Sequence, residues 1–315
     1  MNTCGKRQNR VEYESNKTNF MPELPEVQTI ISDLNKKIKG DTITGFWSDH
    51  KKAIKNNFGD FIKGIKGRKI LEAERIGKNI FINLSGGKTI YIHLKMTGHL
   101  LVKTQITNNK SQTKSKFFED RVNQYVHHVF YLGENKKMEF SDLRKFGKIV
   151  LVDTDKIKEL KEIKNLGVDA MDDEVTLGKF QEILSKKSAR GGLAYGEKKI
   201  RDVLMDQNII SGIGNIYASE ILFDAKILPA RKVGQLKKSE IKAIRNSIKK
   251  VLNKAIKLRG TSDSDYRDTS GAPGGFQKVL RVYRRTGKKC VRCGTIVKRI
   301  KMGQRSAFIC PRCQR

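Results

Sequence analysis

The sequence predicts an α+β chain: one N-terminal helix, a half that is mainly β, a half that is mainly helical, and a short β-like terminus rich in cysteine. Three observations lead there. The spacing of apolar residues passes from a helical period to alternation after about residue 40, and returns to a helical period near Leu177. Four of the five cysteines fall in two close pairs near the end. Lysine and arginine number 65 against 33 acidic residues, a formal +32, which points to a polyanionic partner. The 315 residues make room for about two domains of roughly 100–200 residues each. Hydrophobic residues at 37% are few for a globular chain, but they come in periodic runs, so the chain reads as folded with a basic surface.

The elements follow in order. Residues 1–20 are polar, show no helical or strand period and end at a second methionine, Met21, so they are read as an extension outside the active protein. Val27, Ile30, Ile31, Leu34 and Ile38 then mark an amphipathic helix, with Pro25 suited to its first turn and Gly40 to its stop. Asn79–Leu84 and Lys88–Leu94, joined by Ser85-Gly86-Gly87, read as an antiparallel hairpin; Leu100–Val102, Val126–Leu132 and Lys148–Val152 are further strands. Lys103–Gln124 is polar and reads as a long surface loop. Helical signal follows at Ile200–Asp206, Asn215–Phe223 and Ser239–Leu258, the last capped by Ser239 and closed by Gly260. Arg259–Gly275 is a glycine-rich loop.

From Lys278 to Arg315 the chain carries thirteen basic residues and no acid. Cys290-x-x-Cys293 and Cys310-x-x-Cys313, with sixteen residues between the pairs, have the spacing of two knuckles around one tetrahedral zinc. Two disulfides are the alternative, disfavoured by the reducing compartment expected of a chain with no apolar leader. Cys4 is then a free thiol. No run approaches the roughly 18 apolar residues of a membrane span, so a cytoplasmic location is expected.

Ser211-Gly212-Ile213-Gly214-Asn215 leads into a helix. It reads as an anion site for a DNA phosphate, with Asn215 as N-cap and glycines that admit a ligand to the backbone. Alone, such a turn is an ordinary helix start. Gly77-Lys78-Asn79 and Asp142-Leu143-Arg144-Lys145-Phe146-Gly147 are equally unremarkable when taken singly.

In combination they are specific. Met21-Pro22-Glu23-Leu24-Pro25-Glu26-Val27, Gly77-Lys78-Asn79, His93-Leu94-Lys95-Met96-Thr97-Gly98, Arg144-Lys145-Phe146-Gly147, Gly212-Ile213-Gly214-Asn215-Ile216-Tyr217-Ala218 and the cysteine pairs occur in one order. In that order the chain resembles the formamidopyrimidine-DNA glycosylases from Met21 to Arg315. The resemblance implies a β-sandwich bearing the N-terminal helix, then a helix-two-turn-helix domain with a zinc ribbon. The segments expected on it are 1–20 (extension), 21–152 (catalytic sandwich), 165–260 (helix-two-turn-helix), 261–277 (lesion-contacting loop) and 278–315 (zinc ribbon). It implies a monomeric enzyme acting on double-stranded DNA that holds oxidised bases or abasic sites, with one structural zinc and no membrane association. Leu24 and the His93–Gly98 segment favour the oxidised-purine branch over the endonuclease VIII kind, which stays the alternative together with a catalytically silent DNA-binding clamp.

The residue roles implied are these. Pro22, as an N-terminal secondary amine with a pKa near the ~8 of α-amino groups, is the nucleophile toward C1′. Glu23 protonates the opening sugar ring, with Glu26 as its support or a plain helix acid. Lys78 is general acid/base in β-elimination, and Arg305 grips the flanking phosphate. Met96, Arg144 and Phe146 fill the hole left by the extruded nucleotide, since flipping a base costs a few kcal/mol of stacking. Val126 stands where the family has a histidine, so that DNA contact is either lost or passed to His127, and Lys199 and Arg201 touch phosphates, with a solvated helix face as the alternative. Cys290, Cys293, Cys310 and Cys313 hold the zinc. Within the full chain, however, the nitrogen of Pro22 is an amide without a free lone pair, so the active species is expected to begin at Pro22.

Overall fold

The computed structural model of the chain describes residues 21–104, 116–185, 195–262 and 265–315. Helix α1 (Leu24–Lys37) forms where the period predicts it, with Pro25 in its first turn, Ile38 as C-cap and Gly40 in the left-handed region at φ +90°. Eight strands follow: β1 (Ile43–Ser48), β2 (Ile70–Ile76), β3 (Asn79–Leu84), β4 (Lys88–His93), β5 (Gly98–Thr104), β6 (Val126–Leu132), β7 (Lys136–Asp142) and β8 (Lys148–Asp153). Helix α2 (Phe58–Ile65) lies between β1 and β2. The strands make two antiparallel sheets, ordered β1-β6-β7-β5 and β2-β3-β4-β8. Ile80, Ile82, Ile90, Ile92 and Ile149 of one sheet share a single buried cluster with Leu100, Phe130, Met138 and Phe140 of the other. Val27, Ile30, Ile31 and Leu34 of α1, spaced three and four apart, join the same cluster. An N-terminal helix followed by a mainly β half is what the sequence predicts, and the β-sandwich is what the family resemblance implies.

The second half contains α3 (Lys161–Lys164), β9 (Val168–Asp169), α4 (Leu177–Ser185), α5 (Ile200–Met205), β10 (Ile210–Ser211), α6 (Asn215–Asp224) and α7 (Lys238–Lys257). A two-stranded hairpin of β11 (Lys298–Met302) and β12 (Arg305–Ile309) follows. Its core gathers Phe180, Leu204, Tyr217, Ile221, Ile248 and Val251 from the helices with Val297, Phe308 and Cys310 from the terminal unit. Leu24, the first residue of α1, belongs to this second cluster while the rest of the helix belongs to the first. The N-terminus of α1 therefore lies at the seam between the two halves.

Several local expectations fail. Gly214, not Asn215, is the N-cap of α6, and Lys237, not Ser239, precedes α7. Strands β1, β2 and β7 and helix α2 lie where no element is expected. In β7 the charged pattern hides the strand: Glu139 is nearly fully buried but is neutralised by Lys103 and Lys137 at 2.7 Å each. The polar segment Lys103–Gln124 is not one loop: its first two residues finish β5, and 116–119 and 121–124 are 3-10 turns in which Asn123 is fully buried and bonded to His99. Residues 105–115, the extension 1–20 and Cys4 lie outside the described residues.

Candidate active site at the domain seam

Helix α1 enters the seam with its backbone tied across it: the Leu24 N–H donates to Gly212 O at 3.0 Å. Pro22 is buried just before it. The Glu23 carboxylate, 4% exposed, reaches the first turn of α6 and accepts the N–H groups of Gly214 (2.6 Å), Ile216 (3.0 Å) and Tyr217 (3.4 Å). The helix N-terminus acts as an anion site for this side chain. Gly214 makes the approach feasible, because a Cβ there would lie 2.4 Å from the Glu23 carboxyl carbon. Burial raises the pKa of Glu23 above the ordinary carboxyl value, against the opposing pull of Lys78 and of the three N–H donors.

Glu26 is a support, not a plain helix acid. Its Oε2 accepts the Glu23 N–H at 2.8 Å, and its Oε1 accepts the Tyr217 hydroxyl at 2.5 Å and the Thr261 N–H at 2.6 Å. Burial and then the charge of Glu23 push its pKa up to about 7. Two buried carboxyls so close resist joint ionisation, so the seam holds a proton near neutrality.

Lys78 comes from the other wall. Gly77, at φ +60°, turns β2 into β3 so closely against β10 that a Cβ would lie 3.1 Å from Ser211 Cβ. The Lys78 ammonium then donates to Ile213 O at 3.1 Å. Burial lowers its pKa, the charge of Glu23 opposes that, and Arg305 adds to it. Arg305 itself is exposed at the start of β12. The sequence-expected Glu23, Lys78 and Arg305 thus converge from residues far apart in the chain. His93 joins them unexpectedly: half-buried at the end of β4, it is pushed down to about 3 by burial and by the charges of Lys95 and Lys78. The signal that could have found it is its place in the segment that also carries Met96.

Arg201 and Asn215 differ from expectation. Arg201 is 2% exposed, which excludes a solvated helix face, and its Nη2 donates to Asn215 Oδ1 at 2.7 Å and to Ser306 O at 3.4 Å. It braces α6 against the hairpin that carries Arg305. Lys199, the N-cap of α5, is exposed. His127 is nearly buried and bonded through Nδ1 to Asp49 at 2.9 Å.

Met96, Arg144 and Phe146 do meet. The Arg144 guanidinium lies 4.7 Å from the centre of the Phe146 ring and its Nη1 reaches Met96 Sδ at 3.3 Å. Phe146 is 53% exposed, on the same loop as the exposed Arg144. Asp142 holds both loops: its carboxylate accepts the Gly147 N–H at 2.7 Å, the Arg144 N–H at 3.3 Å and the Thr97 hydroxyl.

The Sγ atoms of Cys290, Cys293, Cys310 and Cys313 lie within 4.8 Å of one another, with Cys290–Cys313 at 3.9 Å and Cys293–Cys310 at 3.4 Å. Four thiolates at about 2.3 Å from a tetrahedral zinc stand about 3.8 Å apart, so the cluster fits one zinc with no open position. The unit's root is pinned by buried Glu220, whose carboxylate accepts the N–H groups of Arg281 (3.0 Å), Val282 (2.9 Å) and Tyr283 (2.9 Å).

Three family models match the chain: the formamidopyrimidine-DNA glycosylase N-terminal domain over 21–149, the H2TH domain of the same glycosylases over 166–266, and a zinc finger found in FPG and IleRS over 287–315. Among curated relatives, the formamidopyrimidine-DNA glycosylase of Pelotomaculum thermopropionicum is 37% identical over 296 residues, covering 94% of this chain and 99% of its own length. That of Carboxydothermus hydrogenoformans is 37% identical, covering 94% and 100%. Among solved structures, Lactococcus lactis Fpg in complex with DNA containing an abasic site matches with a TM-score of 0.78 at 30% identity, covering 93% of this chain and 99% of that one. A complex of the Lactococcus lactis protein with Fapy-dG DNA matches with a TM-score of 0.77 at 30% identity and the same coverage.

Proposed function

The chain belongs to the formamidopyrimidine-DNA glycosylase family, and from that premise we propose that it is a base-excision repair enzyme. It excises oxidised purines, 8-oxoguanine and formamidopyrimidines, from double-stranded DNA and nicks the resulting abasic strand by β,δ-elimination. One observation carries the reading: a buried carboxyl with a raised pKa, Glu23, sits between the N-terminus of α6 and Lys78 and immediately follows Pro22.

The steps follow from these positions. With Pro22 terminal, its amine attacks C1′, the bond from C1′ to the base breaks, and the base leaves with the bonding pair and takes up the proton that the amine nitrogen loses. Glu23 delivers its proton to the sugar ring oxygen as the ring opens, leaving an iminium between Pro22 and C1′. Burial, which raises its pKa, favours the acid form that the transfer needs. Lys78, whose charged form is disfavoured by burial, handles the protons of β-elimination, in which the C2′ proton is lost and the 3′ carbon–oxygen bond breaks. Arg305 binds the flanking phosphate and assists δ-elimination. Cys290, Cys293, Cys310 and Cys313 would hold a zinc with no open position, which would fix the hairpin that carries Arg305 and supply no chemistry of its own. Met96, Arg144 and Phe146 occupy the space of the extruded nucleotide, and the exposed Lys199 contacts the DNA backbone, whereas His127, buried against Asp49, acts on the DNA only through the position of Asp49.

The reading is tested with protein that begins at Pro22, on duplexes containing either 8-oxoguanine opposite cytosine or thymine glycol. Faster release of 8-oxoguanine with nicking supports it. Faster release of the pyrimidine assigns the endonuclease VIII type, and binding without release of either base assigns a silent clamp.

A further inference from the structure

The turn that presents Lys78 is held from the opposite domain. Arg75, near the end of β2, sends its guanidinium in three directions. Its Nε donates to Gln28 Oε1 on α1 at 2.7 Å, and its Nη1 donates to Gly77 O at 3.3 Å. Both terminal nitrogens pair with the Asp169 carboxylate of β9, Nη2 to Oδ1 at 3.0 Å. The same carboxylate accepts the N–H of Gly77 at 3.1 Å, next to Lys78, and the N–H of Met171 at 2.9 Å.

Asp169 stands on β9, beside the strand β10 that leads to the rest of the site. Its backbone pairs with Ser211 in the parallel β9–β10 bridge, after which the chain runs through Gly212, Ile213 and Gly214. Gly212 O accepts Leu24, Ile213 O accepts Lys78, and the Gly214 N–H binds Glu23. The Arg75 and Asp169 side chains are only 11% and 22% exposed, so this bidentate pair is shielded in a way that ordinary surface ion pairs are not. One carboxylate thereby joins the helix that carries Glu23, the turn that carries Lys78 and the strand that receives both.

We propose that Asp169 is a positioning residue for Lys78: through Arg75 and the Gly77 N–H it fixes the Lys78 turn against β10, across the domain seam. The proposal rests on Lys78 serving β-elimination. Schiff-base formation uses Pro22 and Glu23, so loosening the Lys78 turn slows strand cleavage without slowing the covalent step. A displacement of about 1 Å at such a group is enough for an effect of up to about a hundredfold.

The test uses Pro22-terminal protein on a duplex with one abasic site, comparing Asp169→Asn and Asp169→Ala with the parent. Two quantities are read under single turnover: the rate of strand cleavage and the yield of borohydride-trapped adduct. Cleavage is expected to slow about tenfold or more, with trapped adduct equal to or above that of the parent. Cleavage within twofold of the parent overturns the proposal, and so does trapping that falls in step with cleavage, which is the mark of general distortion. If the alanine variant does not fold, the isosteric asparagine variant reads the same two quantities. Lys78→Ala is run beside them: parental cleavage by that variant overturns the elimination role of Lys78 itself, whatever Asp169 does.

Discussion

Glu26 is the residue whose chemistry departs most from its solution behaviour. Its carboxyl moves from 4.5 to about 7 because it is buried beside Glu23. A raised folded pKa means that its contribution to stability is fully present below the unfolded value and is lost as pH rises from about 4.5 to about 7, a loss of about 3 kcal/mol. Glu26→Gln removes the titration, so the stability difference between parent and variant, followed by urea unfolding, should move against the parent by that order across the same interval. A difference that stays flat with pH contradicts the assignment. At this scale the sequence was legible where chemistry is local to a motif: Glu23, Lys78, Arg305 and the cysteines are brought to the positions their motifs imply. It was not legible where the partner is distant. Asn215 reads as an N-cap because serine, aspartate and asparagine usually fill that place, yet the helix end is satisfied by a carboxylate from about 190 residues earlier in the chain. Arg201 reads as a surface cation because arginine is seldom fully buried without partners, and its partners Asn215 and Ser306 come from separate elements.

At the scale of the elements, function is carried by loops held rigid at their bases. The Asp142 carboxylate fixes the loop bearing Arg144 and Phe146 to the one bearing Met96. If Arg144 faces the orphan base, its guanidinium donates to the acceptor edge of cytosine better than to any edge of adenine, a preference worth about 1–3 kcal/mol. Arg144→Ala should erase most of the preference for 8-oxoguanine opposite cytosine over adenine, measured as excision ratios at one salt concentration. An unchanged ratio reduces Arg144 to a backbone contact. The cysteine cluster makes a second element prediction. Replacing Cys310 by serine should release zinc and abolish incision together, because the hairpin from Lys298 to Ile309 then loses the fixed frame that presents Arg305. Loss of zinc with normal incision refutes that role. Strands with dense β-branched and aromatic runs on either side of a glycine turn, such as β3 and β4, were readable in the sequence. β7 was not, since its buried Glu139 depends on Lys103 across the sheet.

Across the whole molecule, charge and catalysis are separable. A formal +32 is expected to supply affinity for any duplex through phosphate contacts, with selection left to the seam and to the loops of Met96, Arg144 and Phe146. Log affinity should therefore fall linearly with log salt, with nearly the same slope for intact and lesion-bearing DNA, while their ratio changes little; a ratio that collapses with salt contradicts the separation. Two cores meet at α1, whose Leu24 is packed in one and whose next turns are packed in the other. That arrangement places Pro22 and Glu23 where both domains bear on them. The measurement that tests this most directly is borohydride trapping on 8-oxoguanine duplex followed by mass mapping of the adduct. With protein that begins at Pro22, the account predicts one covalent adduct on the Pro22 amine, and none when residues 1–21 are retained and that nitrogen is an amide. An adduct on any lysine, or equal trapping by the extended chain, would contradict it.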